Sequence, residues 1–282
     1  MRRLSLVAVA VCLLLLAASA HAITYGYVDQ ANQYSNVGAF IVERPSDGHI
    51  FPICSGTLIT SNVFLTASHC TDFFTRVLEP LGFTAYVSFD NPVPYGALTT
   101  AKTRLLAVSQ VVTNPLYNQA QSDTEDIAVL ILKQAQKIAP ATLPVCGLLD
   151  QLAAQNGLKG TVYTAVGYGV QERVVGGGQP YFKDANPVPR MFAYSSFDSL
   201  NNTFLRLSQN PSTGDGGTCY GDSGGPNFAT IDGQLILVAI TITGDTPCRS
   251  TNVDYRTDTR QALAFFSWVN ATYGTSIPVS SC

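Results

Sequence analysis

The segment Cys219-Tyr220-Gly221-Asp222-Ser223-Gly224-Gly225-Pro226 sets one serine among glycines. Upstream, Leu65-Thr66-Ala67-Ser68-His69-Cys70 supplies a histidine and Asp126-Ile127-Ala128-Val129-Leu130 an aspartate. A serine hydroxyl is a weak nucleophile near neutral pH; it needs a base within hydrogen-bond reach and a third group to orient that base. Ser223, His69 and Asp126 are the candidates for those three tasks, and the chemistry would be covalent attack on a carbonyl. The glycines around Ser223 let a substrate approach the backbone.

Taken singly, each residue has a plainer reading. A serine among glycines is usually a turn, and an aspartate before an apolar strand is usually a strand-end or surface residue. Counting narrows the choice. Of three histidines, His21 falls in an N-terminal leader and His49 sits in the turn Asp47-Gly48-His49, so His69 is the available base. Order narrows it further. Gly221-Asp222-Ser223-Gly224-Gly225 also fits the G-x-S-x-G elbow of lipases, but that arrangement needs a histidine after the serine, and none follows Ser223. A subtilisin-like order needs the acid before the histidine. Asp29 and Asp47 precede His69, but neither sits in a convincing strand-end motif.

These residues need a frame that a secreted chain can build. Arg2 and Arg3 open a basic start, Leu4 to Ala18 is an apolar run of about 15 residues, and Ala20-His21-Ala22 reads as a cleavage site. The run is short for a bilayer span of roughly 20 residues. Residues 1–22 therefore read as a signal peptide, 23–282 as the folded part, and the expected location is extracellular. Cys12 lies in the leader; Cys54, Cys70, Cys146, Cys219, Cys248 and Cys282 remain, an even set that in a secreted chain reads as three disulfides. No C-x-x-C pair is present, so a metal site is not expected. The formal net charge of −3 argues against a nucleic-acid or anionic-membrane partner, which would favour a basic face.

Short β-rich runs recur with turn residues between them: 39–42, 57–60, 84–89, 127–132, 161–166, 204–207 and 235–243. The spacing suits an all-β barrel or sandwich. One helix is expected, near 259–272, with Leu263, Phe266 and Trp268 as apolar anchors. The stretch 137–144 reads as a passage between two halves.

With the motifs in place, the chain resembles the trypsin/chymotrypsin serine endopeptidases. Cys54-Ser55-Gly56-Thr57-Leu58-Ile59 resembles the strand before the family's catalytic histidine, Val166-Gly167-Tyr168-Gly169 its Gly-Trp-Gly segment, and Phe265-Phe266-Ser267-Trp268-Val269 its closing helix. The resemblance runs from Ile23 to about Gly274 and implies an all-β fold. Two six-stranded antiparallel β-barrels, about 23–138 and 139–282, would meet at a cleft holding the active site, followed by a C-terminal α-helix. His69 and Asp126 would come from the first barrel and Ser223 from the second. The backbone N–H groups of Gly221 and Ser223 would form the oxyanion hole. The resemblance implies the bridges Cys54–Cys70 and Cys219–Cys248, with Cys146–Cys282 as the remaining pair. It implies no cofactor and no metal, protein or peptide substrates, proteinaceous inhibitors, and a monomer.

Signal cleavage after Ala22 would expose Ile23-Thr24-Tyr25-Gly26, which resembles the family's mature start with departures at its second and third residues. In the family the new ammonium group pairs with the aspartate before the serine, here Asp222. Arg173-Val174-Val175-Gly176-Gly177 looks like another activation site, but a cut there would leave His69 and Asp126 behind, so it reads as a flexible loop and nicking site. The family's pocket base, six residues before the serine, is Gly217 and not an acid. Thr218 and Gly244 would line the pocket, and Tyr220 would close over its mouth. An uncharged apolar guest is expected, with Asp245 or Asp254 as the acids able to overturn that. Ile242-Thr243-Gly244 departs from the family's Ser-Trp-Gly, where the serine supports the catalytic aspartate. Sequons at Asn201 and Asn270 mark candidate surface glycans.

Overall fold

Runs rich in Val, Ile, Phe and Tyr, cut by Gly, Pro and Asn turns, become short strands because β-branched and aromatic side chains suit a half-buried pleated surface. The computed structural model describes residues 23–98, 103–175 and 181–282. In chain order the strands are β1 (Tyr27–Val28), β2 (Val37–Glu43), β3 (His49–Leu58), β4 (Val63–Thr66), β5 (Thr84–Ser88), β6 (Ala97–Leu98), β7 (Leu106–Thr113) and β8 (Ala128–Leu132). There follow β9 (Val162–Gly167), β10 (Arg173–Val174), β11 (Tyr181–Phe182), β12 (Met191–Leu200), β13 (Phe204–Ser208), β14 (Pro226–Ile231), β15 (Gln234–Gly244) and β16 (Thr251–Arg256). The α-helices are α1 (Ser68–Phe73), α2 (Leu148–Ala154) and α3 (Arg260–Tyr273).

Two closed antiparallel barrels result. The first runs β2-β5-β7-β8-β4-β3 and closes through β2–β3, with the two-residue β6 added to β3. The second runs β12-β13-β16-β15-β14-β9 and closes through β12–β9, with β1 added to β12. Closure removes the exposed edges that an open sheet would present. The first six residues of the described chain do not join the first barrel, where the sequence places them. Thr24 exchanges backbone hydrogen bonds with Gly217, and Tyr27 sits beside Phe192, ring centroids 5.6 Å apart. This entry strand is thus clasped to the second barrel.

The expected helix forms with the expected ends: the Thr259 side chain caps Ala262 N–H, and Gly274 ends it with φ 67°. Its buried stripe is Ala262, Leu263, Phe265, Phe266 and Val269. Trp268 is not a core anchor; it is 36 % exposed and stacks on Phe265. The segment expected as an open loop at 173–177 begins as a small hairpin, β10 pairing with β11; its glycines 176–178 lie outside the described residues. The leader, 1–22, lies outside them too.

Candidate active site

β4 delivers the chain to α1, and His69 is the second residue of that short helix. No side chain caps its start at Ala67, so the first turn is held by tertiary bonds. Ser68 Oγ donates to the Ile127 carbonyl at 2.8 Å, and His69 N–H donates to Asp126 Oδ1 at 2.9 Å. The second oxygen, Asp126 Oδ2, lies 2.8 Å from His69 Nδ1. A carboxylate oxygen accepts, so Nδ1 carries a proton and, in the neutral ring, Nε2 is the nitrogen with the free lone pair. That is the tautomer a general base requires. Both oxygens of Asp126 are thus spent on His69 itself. Ile242, where the family has a serine, offers no hydroxyl to either. The Cys54–Cys70 disulfide ties the helix to β3.

Ser223 lies between two glycines with positive φ, Gly221 at 96° and Gly224 at 78°. A side chain at Gly224 would run into Thr66 Oγ1, the Ala67 nitrogen and the Ser55 carbonyl, so this turn is pressed against the strand end that carries His69. The Ser223 carbonyl accepts from Ser55 N–H at 2.9 Å and lies 3.9 Å from Cys70 Sγ. Ser223 is half-buried and lines a cavity of about 260 Å³. No hydrogen bond joins Ser223 Oγ to His69 Nε2 among the described residues, and such bonds commonly tighten only when substrate arrives.

Asp222 is fully buried. Its oxygens accept from Gly169 N–H at 2.7 Å and Cys219 N–H at 2.9 Å. Burial pushes its carboxyl up to about 7, against the pull of those two donors. A Cβ at Gly167 or Gly169 would collide with this carboxylate, which explains the glycines on both sides of Tyr168. Ile23 is also fully buried, in the apolar cluster that contains Tyr168.

Thr218, Tyr220 and Gly244 line the cavity beside Ser223, together with Thr241, Ile242 and Asp245. Gly217 is not in the lining. It lies behind, paired to Thr24, with the space above its Cα filled by the side chain of Gln209. Gln209 is a residue the sequence reading missed. It accepts from Thr218 N–H at 2.9 Å and donates to Asp245 Oδ1 at 3.1 Å.

Two acids lie near the cavity: Asp245 in its wall and Asp254 beneath it. Burial works against ionisation of Asp245, but the backbone N–H groups of Thr251, Arg249 and Ser250, with Gln209, hold its carboxyl below the ordinary range. Its oxygens are therefore committed to the turn that follows β15. Asp254 is fully buried within a polar group beneath the lining. Thr218 Oγ1 donates to Asn252 Oδ1 at 2.7 Å, and Asn227 Nδ2 donates to Asp254 Oδ1 at 2.7 Å. Burial pushes the Asp254 carboxyl well above its usual value, and its Oδ2 has no partner.

The remaining expected positions are placed as follows. Cys219–Cys248 closes one wall of the cavity, and Cys146–Cys282 ties the C-terminal residue to the segment between the barrels. Cys54, His69 and Cys70 have ligand atoms within 4.8 Å of one another, but the disulfide consumes both thiolates, so this donor set does not suit a metal. His49 starts β3, half-buried beside Asp47. Asn201 is exposed in the turn before β13. The Asn270 amide closes the end of α3, bonding Ile277 and Thr275.

A family model described as Trypsin matches residues 26–269. Among curated proteins, the chain is 25% identical to chymotrypsin-like elastase family member 1 of Homo sapiens, over 80% of this chain and 83% of that protein. It is 27% identical to CLIP domain-containing serine protease B15 of Anopheles gambiae, over 72% of this chain and 57% of that protein. It is 26% identical to vitamin K-dependent protein C of Rattus norvegicus, over 68% of this chain and 40% of that protein. The chain therefore spans about half the length of the last two.

Proposed function

Because the chain belongs to the trypsin family, we propose that it is a secreted serine endopeptidase working through an acyl-enzyme on Ser223. The observation that carries this is the doubly bonded His69–Asp126 pair next to the serine turn. Ser223 Oγ attacks the scissile carbonyl and its proton passes to His69 Nε2. Asp126 keeps the ring in place and stabilises the imidazolium. The carbonyl oxygen, now an anion, accepts from the N–H groups of Gly221 and Ser223. Collapse breaks the C–N bond; the amine leaves with the proton from His69, and the acyl group stays as an ester on Ser223. Water then attacks that ester and gives a proton to His69; as the bond from the acyl carbon to Ser223 Oγ breaks, His69 returns that proton to Ser223 Oγ and the acid product departs.

The guest side chain on the acyl side of the bond is uncharged and apolar. Gly217 supplies no acid, Asp245 is committed to its turn, and Asp254 is buried under the lining. The active terminus is Ile23, made by signal peptidase, whose ammonium pairs with Asp222; an unpaired buried charge costs about 3–5 kcal/mol. The enzyme acts outside the cell as a monomer without cofactor, and proteinaceous inhibitors compete for its cleft. Asn201, in its exposed turn, and Asn270 are the glycan acceptors, the latter giving up its bonds at the end of α3.

A fluorophosphonate probe tests the reading. The processed chain should label on Ser223, and Ser223→Ala should abolish the label. A correctly processed chain that takes no label would instead be a protease-like binding protein using the same cleft.

A further inference from the structure

Ser55 is fully buried at the meeting of the barrels, and its three polar groups make four hydrogen bonds. Its N–H donates to the Ser223 carbonyl at 2.9 Å, and its carbonyl accepts from Thr66 Oγ1 at 2.8 Å. Its hydroxyl accepts from Tyr168 N–H at 2.9 Å and donates to the Gly221 carbonyl at 3.0 Å. The hydroxyl of one first-barrel residue thus bridges two second-barrel segments. Both segments border the proposed anion-binding N–H groups.

The target of that bridge is a glycine in the left-handed region, two residues before Ser223. Gly221 has φ 96° and no side chain to restrain it. Its two flanking peptides must be fixed from outside. The Tyr220 carbonyl accepts from Val170 N–H at 2.8 Å, which sets the Tyr220–Gly221 plane and hence the direction of Gly221 N–H. The next plane is held at both ends: the Gly221 carbonyl accepts from Ser55 Oγ, and Asp222 N–H donates to the Cys219 carbonyl at 3.0 Å, so Ser55 supplies the part of that restraint that comes from the first barrel. Donors aimed at developing charge accelerate a reaction only if they are already in position.

We propose that the Ser55 hydroxyl is a positioning residue for catalysis: it pins Gly221 so that the N–H groups of Gly221 and Ser223 converge on the transition-state oxyanion. The role rests on the endopeptidase reading above. It involves no contact with substrate and no proton transfer.

The test compares Ser55→Ala and Ser55→Gly with Thr57→Val in the processed full chain. Thr57 is on the same strand, and its buried hydroxyl has no partner, so it serves as a control for loss of a buried hydroxyl. Active sites are counted by fluorophosphonate titration, and rates are referred to that count. Both Ser55 variants lose two hydroxyl hydrogen bonds, of which the one to the Gly221 carbonyl bears on the oxyanion turn, and should lower kcat on an amide substrate about tenfold with KM nearly unchanged. Affinity for a peptide aldehyde, which forms the tetrahedral adduct, should fall by the same factor, while that for the corresponding product acid holds. Thr57→Val should leave all three unchanged. Unchanged kcat and aldehyde affinity in the Ser55 variants would overturn the proposal. So would parallel losses for aldehyde and product, which mark general loosening. If Ser55→Ala does not fold, Ser55→Gly carries the same comparison. If the unsubstituted chain takes no fluorophosphonate, it is the endopeptidase reading that fails.

Discussion

The first barrel is filled by Phe40, Leu58, Phe64, Val87, Leu130 and Leu132, all at most 2 % exposed and none with a polar side-chain atom. The second barrel has a comparable apolar end around Tyr163, Leu205 and Leu207. Beneath the substrate cavity, however, it buries Asn227, Thr241, Asn252 and Asp254. The first barrel also buries polar side chains, among them Ser55, Thr57 and Thr66 on β3 and β4, but no carboxyl group lies among the residues that fill it as Asp254 does in the second. A buried carboxyl group with an orphaned oxygen costs stability and rarely persists without another use. On the proposed function, the contrast separates a barrel that holds a base still from one that shapes a pocket and an oxyanion turn.

The largest expected effect tests whether the two halves act as one machine. His69→Ala in the first barrel and Ser223→Ala in the second should each lower kcat about 10⁶-fold, and the double variant should be scarcely worse than either. Losses that multiply would mean the barrels contribute independently. Next comes the entry strand. One extra residue before Ile23 should lower kcat/KM by about 10²–10³, the usual scale for disabling an oxyanion donor. Undiminished activity in that extended chain would remove the Ile23–Asp222 pairing from the mechanism.

The cores themselves should respond in opposite ways. Phe64→Ala opens a cavity in the first barrel and should cost about 3–5 kcal/mol in denaturant unfolding. Asp254→Asn keeps the volume and removes an ionisable group, so at neutral pH it should be neutral or stabilising. The sign follows from proton binding. In the extended chain, where no Ile23 ammonium exists, Asp222 rises from the usual carboxylate range to about 7 when folded, and Asp254 also rises. Each holds a proton in the folded chain that the unfolded chain has lost. Their contribution is fully present below pH ~4 and is lost as pH climbs towards and through 7. Stability of the extended chain should therefore fall across that window, and Asp222→Asn or Asp254→Asn should each flatten part of the slope. A slope unchanged in both variants would mean that neither carboxyl is the source.

The sequence spoke most clearly where spacing and chemistry coincide. The strand cores, the capped C-terminal helix and the three segments proposed as catalytic are all carried by local pattern. The barrel closures were expected only through the resemblance, since β2–β3 and β12–β9 pairing is non-local. The misplacements share a cause. Gly217 was assigned by its offset from Ser223, but its surroundings are set by Thr24 and Gln209, which offset does not reveal. Trp268 was assigned by hydrophobicity, but α3 turns it outward onto Phe265. In the sequence Ser55 is one residue of a strand motif; a serine next to a cysteine gives no sign that its hydroxyl will reach Gly221, 166 positions on.

The smallest effect decides what the polar floor is for. Thr218 lines the cavity, yet its hydroxyl donates inward to Asn252 and not to the guest. Thr218→Val makes that wall as apolar as the first barrel and orphans the Asn252 oxygen, so stability should fall by about 1–3 kcal/mol. Because the lost bond faces away from the substrate, the ratio of cleavage after Leu to cleavage after Arg should move by less than about threefold, under 1 kcal/mol. Peptide-library profiling with a denaturant titration reads both numbers on one preparation. A tenfold shift in that ratio without loss of stability would reverse the assignment: the buried amides and Asp254 would then read the substrate directly, and the difference between the barrels would be one of recognition as well as support.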